Sequence, residues 1–559
     1  MWRRCKLRSL GWVMAVLLVR LTDVGAAEDL PTGQRIEPRA ARGAAWQDLS
    51  LAEEGPHSQR AGQAVSLALS PDGRTLLVLT SGYNLFFDEQ GKPIPDASQE
   101  HVFLFDVSRG SPHRLQTVPL PNSFCGIAWS PEGKNFYVSG GGDDSVHAYA
   151  KARSGWREVR PPLRLDHLAG NGLMTQPVAA GVAIDPDGKR LLVANWANDS
   201  VSLVDLGGWR RSVELDLRPG KISADSAGIP GGEYPFWVAW CGRGRAYVSS
   251  VRDRELVVLD VGESSLKVRG RIPLHGQPNR ILAVPERSRA YVACDNSDTV
   301  VVLDTEQDRI LEEIDVLAPV GMRPAQTGKG ANPNGLALTP DGRMLLVSCG
   351  GTNAIAVLRL GSLSQGKKEG EPASELLGLI PTGWYPSSVA VGRDGGWLYV
   401  CNAKSPAGPN AEGWHPPRSL GAKPLGASER ARNQYVWQRT LAGLLSLPLP
   451  DEEELRRLTR IVAENNGWRS SSPDSSSPGV LFSTLRRQIH HVIYVVKENR
   501  TYDQLLGDLG KGNGDPSLAI LAPYSPNHQQ IARRFVLLDN FYDSGEVSGD
   551  GWQWSTAAR

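Results

Sequence analysis

Cysteine is scarce in this 559-residue chain, and its scarcity is informative. Cys5 sits in the basic N-terminal stretch. The other five, Cys125, Cys241, Cys294, Cys349 and Cys401, are an odd number at wide spacing, which excludes a disulfide framework. No Cys-x-x-Cys pair, Cys-x-x-Cys-His run or Cys/His cluster occurs, so structural zinc and c-type haem lack their ligands. Only 10 histidines are present and none cluster in the repeats described below, which leaves no basis for a redox or metal site there. An excess of one charge is missing too. The formal net charge is +1, so a polyanion-binding surface spread over the whole protein is excluded and no nucleic-acid partner is expected. Beyond the N-terminus no apolar run approaches the ~20 residues a bilayer span needs.

Glycine (60) and proline (39), by contrast, are abundant and fall mostly at turns, which favours many short strands over long helices. The N-terminus has the layout of a secretory signal. Arg3, Arg4, Lys6 and Arg8 precede an apolar Leu10–Val19, and Gly25-Ala26-Ala27 offers a small-residue cleavage site. Residues 1–27 are therefore expected to be removed. The mature protein is expected to be exported, periplasmic or extracellular, without a membrane span.

A repeated strand–turn–strand unit fills residues 65–405. Its first strand and turn recur as VSLALSPDG from Val65, CGIAWSPEG from Cys125, AGVAIDPDG from Ala180, FWVAWCGRG from Phe236, NRILAVPER from Asn279, NGLALTPDG from Asn334 and SSVAVGRDG from Ser387. A second apolar strand follows each, for example LLVLTSG, LLVANWA and LLVSCGG. A third closes six of them, as in HVFLFDV or TVVVLDT. Pro fixes φ, Asp bonds its own backbone and Gly accepts φ > 0, so Pro-Asp-Gly is a turn with a mechanism. Starts 43–60 residues apart suit four-stranded blades, and seven copies predict a seven-bladed β-propeller over residues 46–450. Cys294, Cys349 and Cys401 fall at similar places near strand ends, as small core thiols would. The seventh unit regains its third strand at Leu441–Leu449, after an insertion at about 404–439. Its fourth strand is expected from Trp46–Glu53, which would join the two ends of the ring. Pro177, Pro235, Pro278, Pro333 and Pro386 precede first strands; they read as rigid turns, or as loops ringing one mouth of the central channel.

Asp451 and Glu454 have capping-box spacing, and Leu455, Leu458 and Val462 share one helical face, which predicts a helix over 451–468. A Ser/Pro linker is expected over 469–487. The apolar run Val492–Val496 then fits a central strand of an α/β sheet, and Phe535–Leu538 a second strand. The fold class expected is thus an all-β seven-bladed propeller followed by an incomplete α/β domain, 488–559. Two constellations lie in that segment. Glu498 and Asn499, at a strand end, offer adjacent oxygen donors for a divalent metal, although their spacing alone equally fits a salt-bridged strand end with a helix cap. Ser548 sits in a Gly-containing turn before a helix-like stretch, where free backbone N–H groups could hold phosphate oxygens; the plainer reading is a Gly/Ser loop.

IHHVIYVVKENRTYDQLLGDL, GNGDPSL, SPNHQQIARRFVLLDNFY and GEVSGDGWQWSTAA together resemble the opening of a phosphoesterase domain of the acid phosphatase/phospholipase C type, within the alkaline-phosphatase superfamily. The preceding repeats resemble the YVTN-repeat propellers found fused to such domains. The resemblance implies hydrolysis of phosphate esters with a divalent metal ion. It implies that Glu498, Asn499 and Ser548 hold the metal and that Ser548 is the nucleophile, with Ser555 and Thr556 as alternatives and His528 as a phosphate contact. Trp552 stands four residues beyond Ser548, where some members carry His. Further Asp and His ligands of that family come from sequence beyond such a turn, so residues 1–559 alone are expected to be inactive. The alternative expectation is a non-catalytic propeller that binds a surface ligand or protein on one face.

Overall fold

The structure is a computed structural model. It describes residues 27–30, 33–51, 61–82, 98–167, 178–319, 321–322, 330–361, 373–404, 440–468, 485–497, 499–539, 541 and 548–557. The leader, the insertion after Lys404, most of the Ser/Pro linker, Pro177 and Glu498 lie outside them.

Seven antiparallel sheets form seven blades: five are four-stranded meanders running outward from the axis, blade 2 has five strands because two short strands, Gly155–Glu158 and Leu163–Arg164, both pair with its third, and blade 7 takes its outer strand from the N-terminus. Blade 1 holds Ala64–Leu69, Thr75–Thr80, Glu100–Asp106 and His113–Leu120. Blade 2 starts at Ile127–Trp129, blade 3 at Ala179–Ile184, blade 4 at Pro235–Trp240, blade 5 at Pro278–Val284, blade 6 at Pro333–Leu338 and blade 7 at Trp384–Val391. In blade 7 the chain ends meet. Gly443–Pro448 pairs with Trp397–Lys404 on one side and with Ala45–Asp48 on the other, Trp46 opposite Leu445. The closing strand is thus shorter than the Trp46–Glu53 expected, and residues 52 to 60 fall outside the described residues.

Both faces of every blade are covered, which explains why the middle strands are unbroken apolar runs rather than alternating ones. In blade 1, Leu77 and Leu79 pack toward blade 2 while Leu76 and Val78 pack toward blade 7. Seven buried apolar clusters result, one at each of the seven blade interfaces. Each fully buried Leu or Val in them contributes about 1.5–3 kcal/mol over its exposed state. An isolated blade would have none of this, so the ring folds as a ring.

The turns obey local chemistry. Gly73, Gly188 and Gly342 of the Pro-Asp-Gly units have φ +72°, +69° and +67°. Asp72 Oδ1 accepts from Arg74 N (3.0 Å) and from Ser70 Oγ (2.6 Å), and Asp341 repeats the arrangement with Arg343 and Thr339.

A helix, Glu452–Asn465, follows blade 7 with Asp451 accepting from Glu454 N (2.8 Å) at its cap. Leu455, Leu458 and Val462 cover the outer edge of blades 5 to 7, and Thr459 Oγ1 accepts from Leu379 N (2.9 Å). Arg457 ties the helix to the Ala40 carbonyl at 2.6 Å.

The C-terminal segment departs from expectation. Val492–Val496 is not a strand among the described residues, and its side chains are 41–91% exposed. Phe535, Val536 and Leu538 are also exposed, at 62–82%. A central strand exists only when neighbours complete its ladder on both sides, and the described residues after 485 contain helices but no strand. Short helices at Tyr502–Leu506 and Pro526–Arg534 and a helix at Ser548–Ala557 make up the rest.

Candidate functional site

Every first strand enters from one end of the ring, the end that also carries the turns between second and third strands. These entries are built alike. Pro235, Pro278, Pro333 and Pro386 are buried residues at or near the start of their strands, and a β-bulge follows each. Proline suits that place, because a strand's first residues can forgo a ladder donor. The prolines singled out from sequence therefore frame the mouth of the channel rather than line it.

Acidic and amide side chains tie each entry to the neighbouring blade. Asp199 Oδ1 accepts from Tyr234 N (3.0 Å), Asn353 Oδ1 from Tyr385 N (2.9 Å), and Asp298 from Gly330 N (2.7 Å) and Ala331 N (2.9 Å). Asp199, Asp298 and Asn353 hold φ between +52° and +57°, a conformation Asp and Asn tolerate better than most residues. The Asp144 tether has an addition. Its Oδ1 lies 2.6 Å from His167 Nδ1, and His167 Nε2 lies 2.8 Å from Glu214 Oε1. Burial alone would lower the His167 pKa, but the two carboxylates outweigh it and hold the imidazole up at about 9.

Aromatic rings line one side of the mouth. Phe124 and Phe236 meet edge-on at 5.9 Å, Phe236 and Trp196 at 5.7 Å, and Trp196 and Tyr234 at 5.1 Å. All four are half-buried. On the opposite side Lys404 Nζ lies over Trp384 at 5.3 Å and over Tyr385 at 5.9 Å.

Deeper along the axis stands Arg280, 8% exposed. Its guanidinium carbon is 4.4 Å from the centre of the Trp237 ring. Nη2 donates to Val65 O (2.5 Å) and Ser66 Oγ (2.6 Å), and Nη1 to Ser388 Oγ (3.5 Å). Arg280 thus crosses from blade 5 to blades 1 and 7. Burial depresses its pKa, and no carboxylate lies within ion-pair distance among the described residues. Sequence reasoning passed over this residue. Its signal lay in the second position of each repeat, where Ser66, Gly126, Gly181, Gly335 and Ser388 are small and Trp237 and Arg280 are not.

A hydroxyl–imidazole–carboxylate line also occurs in blade 2. Ser145 Oγ is 3.3 Å from His147 Nε2, and His147 Nδ1 is 2.8 Å from Glu158 Oε1. Ser145 and His147 are 3% and 2% exposed, so no substrate reaches the hydroxyl, and the line is a satisfied polar network within blade 2.

The residues expected to carry phosphoester chemistry are placed as follows. Asn499 is exposed, with φ +65°. Ser548 is exposed and opens the helix Ser548–Ala557. Ser555 Oγ donates to Gly551 O (2.7 Å) and Thr556 Oγ1 to Trp552 O, both within that helix. His528 is half-buried near the start of the Pro526–Arg534 helix. Among the described residues no three His, Cys, Asp or Glu side chains gather as a metal site.

Comparison with known proteins bears on the ring. The seven-bladed β-propeller lactonase family matches residues 258–407, from the third strand of blade 4 to three residues past the second strand of blade 7. Antigen Lp49 of Leptospira interrogans serogroup Icterohaemorrhagiae serovar copenhageni (strain Fiocruz L1-130) is 28% identical over 182 residues, 30% of this chain and 35% of that protein. The chain therefore spans about a third of that relative's length. Among solved structures, Kuenenia stuttgartiensis hydrazine synthase aligns at 17% identity over 63% of this chain and 96% of that one, TM-score 0.45. A streptogramin B lyase aligns at 13% over 73% and 99%, TM-score 0.43. The chain is a seven-bladed β-propeller.

Proposed function

We propose that the propeller is a binding module whose working face is the mouth formed by the first-strand entries. The observation that carries this is the mouth's composition: half-buried aromatic rings from blades 2 to 4 above a buried guanidinium. Concave sites with mostly apolar walls and few convergent polar groups are where proteins hold small ligands. The opposite end of the ring has mostly tight four- to six-residue turns, and the aromatic group of Trp129, Phe136 and Trp156 toward that end packs into the interface of blades 1 and 2. Phe236→Ala and Trp196→Ala, made singly in the full chain, should each weaken binding of a captured ligand at least tenfold while leaving the thermal midpoint within a few degrees. Unchanged affinity in both would overturn the assignment of the face.

A second role is favoured by the sequence of residues 488–559. The exposed runs Val492–Val496 and Phe535–Leu538 are what an α/β sheet's strands look like without their neighbours. On this reading the chain is the front part of an exported, metal-dependent phosphoesterase, and the propeller binds its substrate or anchors it. Glu498, Asn499 and Ser548 would hold a divalent metal. The metal would lower the pKa of the Ser548 hydroxyl and neutralise charge developing on a phosphate ester. A protein carrying the propeller and a completed domain, assayed on p-nitrophenyl phosphate with and without divalent metal, tests this. Metal-dependent turnover that Ser548→Ala removes supports it; turnover unaffected by that change refutes the role given to Ser548.

A further inference from the structure

Aligned on the turn that follows each, Pro-Asp-Gly or its counterpart, the seven first strands place one residue each at a common level of the axis: Ser66, Gly126, Gly181, Trp237, Arg280, Gly335 and Ser388. Space there is scarce. A Cβ on Gly126 would meet Ala180 O at 2.2 Å, one on Gly181 would meet Trp237 Cα at 2.8 Å, and one on Gly335 would meet Ser388 Cα at 2.8 Å. Five blades give up their side-chain volume, and two supply what fills the level.

A ring that only needed plugging could have used two apolar side chains. Replacing a buried charge by an apolar group of similar volume is often neutral or stabilising. Here the level holds a guanidinium, and its ring partner among the described residues is Trp237. Its hydrogen bonds use three of the five N–H directions of an arginine, so Nε–H and one Nη1–H have no partner among the described residues. The titratable groups that act on it are the thiols of Cys125 and Cys401, both neutral because burial pushes them up to about 12 and about 11. The charge is therefore held, oriented and left without a counter-ion. Trp237 lies 6.2 Å from Phe236, which continues into Trp196 and Phe124 at the mouth.

Resting on the mouth as the binding face, we propose that the axis takes a small organic anion, its carboxylate or phosphate on the Arg280 guanidinium and its flat apolar body against Phe236, Trp196 and Phe124. A planar guanidinium pairs with an oxyanion through two parallel N–H bonds. Edge-on rings at the wall leave faces or edges for a flat body to pack on.

The experiment uses the full chain and four probes: phenyl phosphate, benzoate, inorganic phosphate and neutral benzyl alcohol, followed by calorimetric titration and thermal midpoint. Phenyl phosphate and benzoate should bind and raise the midpoint, and benzyl alcohol should bind at least tenfold more weakly. Inorganic phosphate alone should bind more weakly than phenyl phosphate by a similar factor. Arg280→Met should abolish the anion-dependent rise while leaving the ligand-free midpoint unchanged or higher. Trp196→Ala, at the rim, should cut benzoate affinity but not that of inorganic phosphate. Arg280→Met that still binds phenyl phosphate as the parent does would overturn the proposal. So would a collapse of the ligand-free midpoint that Arg280→Lys restores without restoring binding, because Arg280 would then be a structural pin. Benzyl alcohol binding as well as benzoate, and depending on Trp196, would overturn the anion but leave the mouth as a binding face. No binding by any probe would remove both.

Discussion

His167 provides a stability switch that can be worked through in numbers. Its side chain is 1% exposed, and its two ring nitrogens lie 2.6 Å from Asp144 Oδ1 and 2.8 Å from Glu214 Oε1. Glu214 also receives Ser200 Oγ, Asn198 Nδ2 and, on its other oxygen, Arg211 Nη1 at 2.7 Å. The folded-state pKa is raised from 6.5 to about 9, so the folded state holds a proton that the unfolded chain gives up. The resulting stability is fully present below pH 6.5 and is lost as pH rises through 9. Linkage gives about 3 kcal/mol at pH 6, about 2 at pH 7.5 and under about 0.5 at pH 9. His167→Gln removes the titration and leaves two carboxylates facing each other, which adds an offset that hardly varies over this range. The quantity to measure is thus the change in the stability gap between parent and variant, from urea unfolding at pH 6, 7.5 and 9. The gap should narrow by about 3 kcal/mol across that span. A gap constant within about 0.5 kcal/mol would mean that His167 is neutral in the fold and that burial beats its partners.

Other changes test separate parts of the ring. His101 is the opposite case: burial alone lowers its pKa from 6.5 to about 4, so stability present above pH 6.5 is lost as pH falls toward 4, and His101→Phe should flatten that acid limb in a pH series of thermal midpoints. Gly181→Ala puts a Cβ 2.7 Å from Phe236 O and should cost about 1–3 kcal/mol by chemical denaturation, whereas Gly270→Ala, with open space at its Cβ position, should cost under about 1. Deleting Ala45–Asp48 unpairs one side of Gly443–Pro448 and should lower the thermal midpoint by several degrees; an unchanged midpoint would mean that the ring does not depend on this closure.

How far the architecture could be read without coordinates depended on where the physics is local. Turn chemistry is local, so Ser70-Pro71-Asp72-Gly73 and Thr339-Pro340-Asp341-Gly342 announced their turns. Two-sided burial is nearly local, because it turns Leu76–Leu79 into an unbroken apolar run, and seven such runs at similar spacing gave the blade count. The run Val492–Val496 has the same composition, yet it is exposed and unpaired. Periodicity reports what a segment could bury, not whether partners are at hand. The axis is not local at all. That Trp237 and Arg280 fill a level vacated by Gly126, Gly181 and Gly335 appears only when repeats are compared with each other position by position. The His167 cluster is hidden for a related reason: Asp144, His167 and Glu214 come from two blades, and nothing in the spacing of 144, 167 and 214 marks them.

Charge balance then separates the axis from a cavity of about 440 Å³ between blades 4 and 5 on the opposite end, lined by Cys241, Arg245, Asp260, Ser288, Thr305 and Glu306. Arg245 there donates to the Thr305 carbonyl and lies 3.4 Å from Asp308, which also accepts from Tyr247 Oη at 2.6 Å. Ser288 Oγ donates to Glu306 at 2.6 Å. Each charge in that cavity already has an opposite or a donor, so an incoming ion would have to displace a partner before gaining one. Arg280 requires no such displacement: its neighbours are a ring face, a carbonyl and two hydroxyls, none of which neutralises it. An anion arriving at the axis gains a charge-assisted bond and removes the cost of a lone buried cation in one step. The same anion arriving at the cavity between blades 4 and 5 does neither. Charge balance therefore favours the axis over that cavity as the place for an anion.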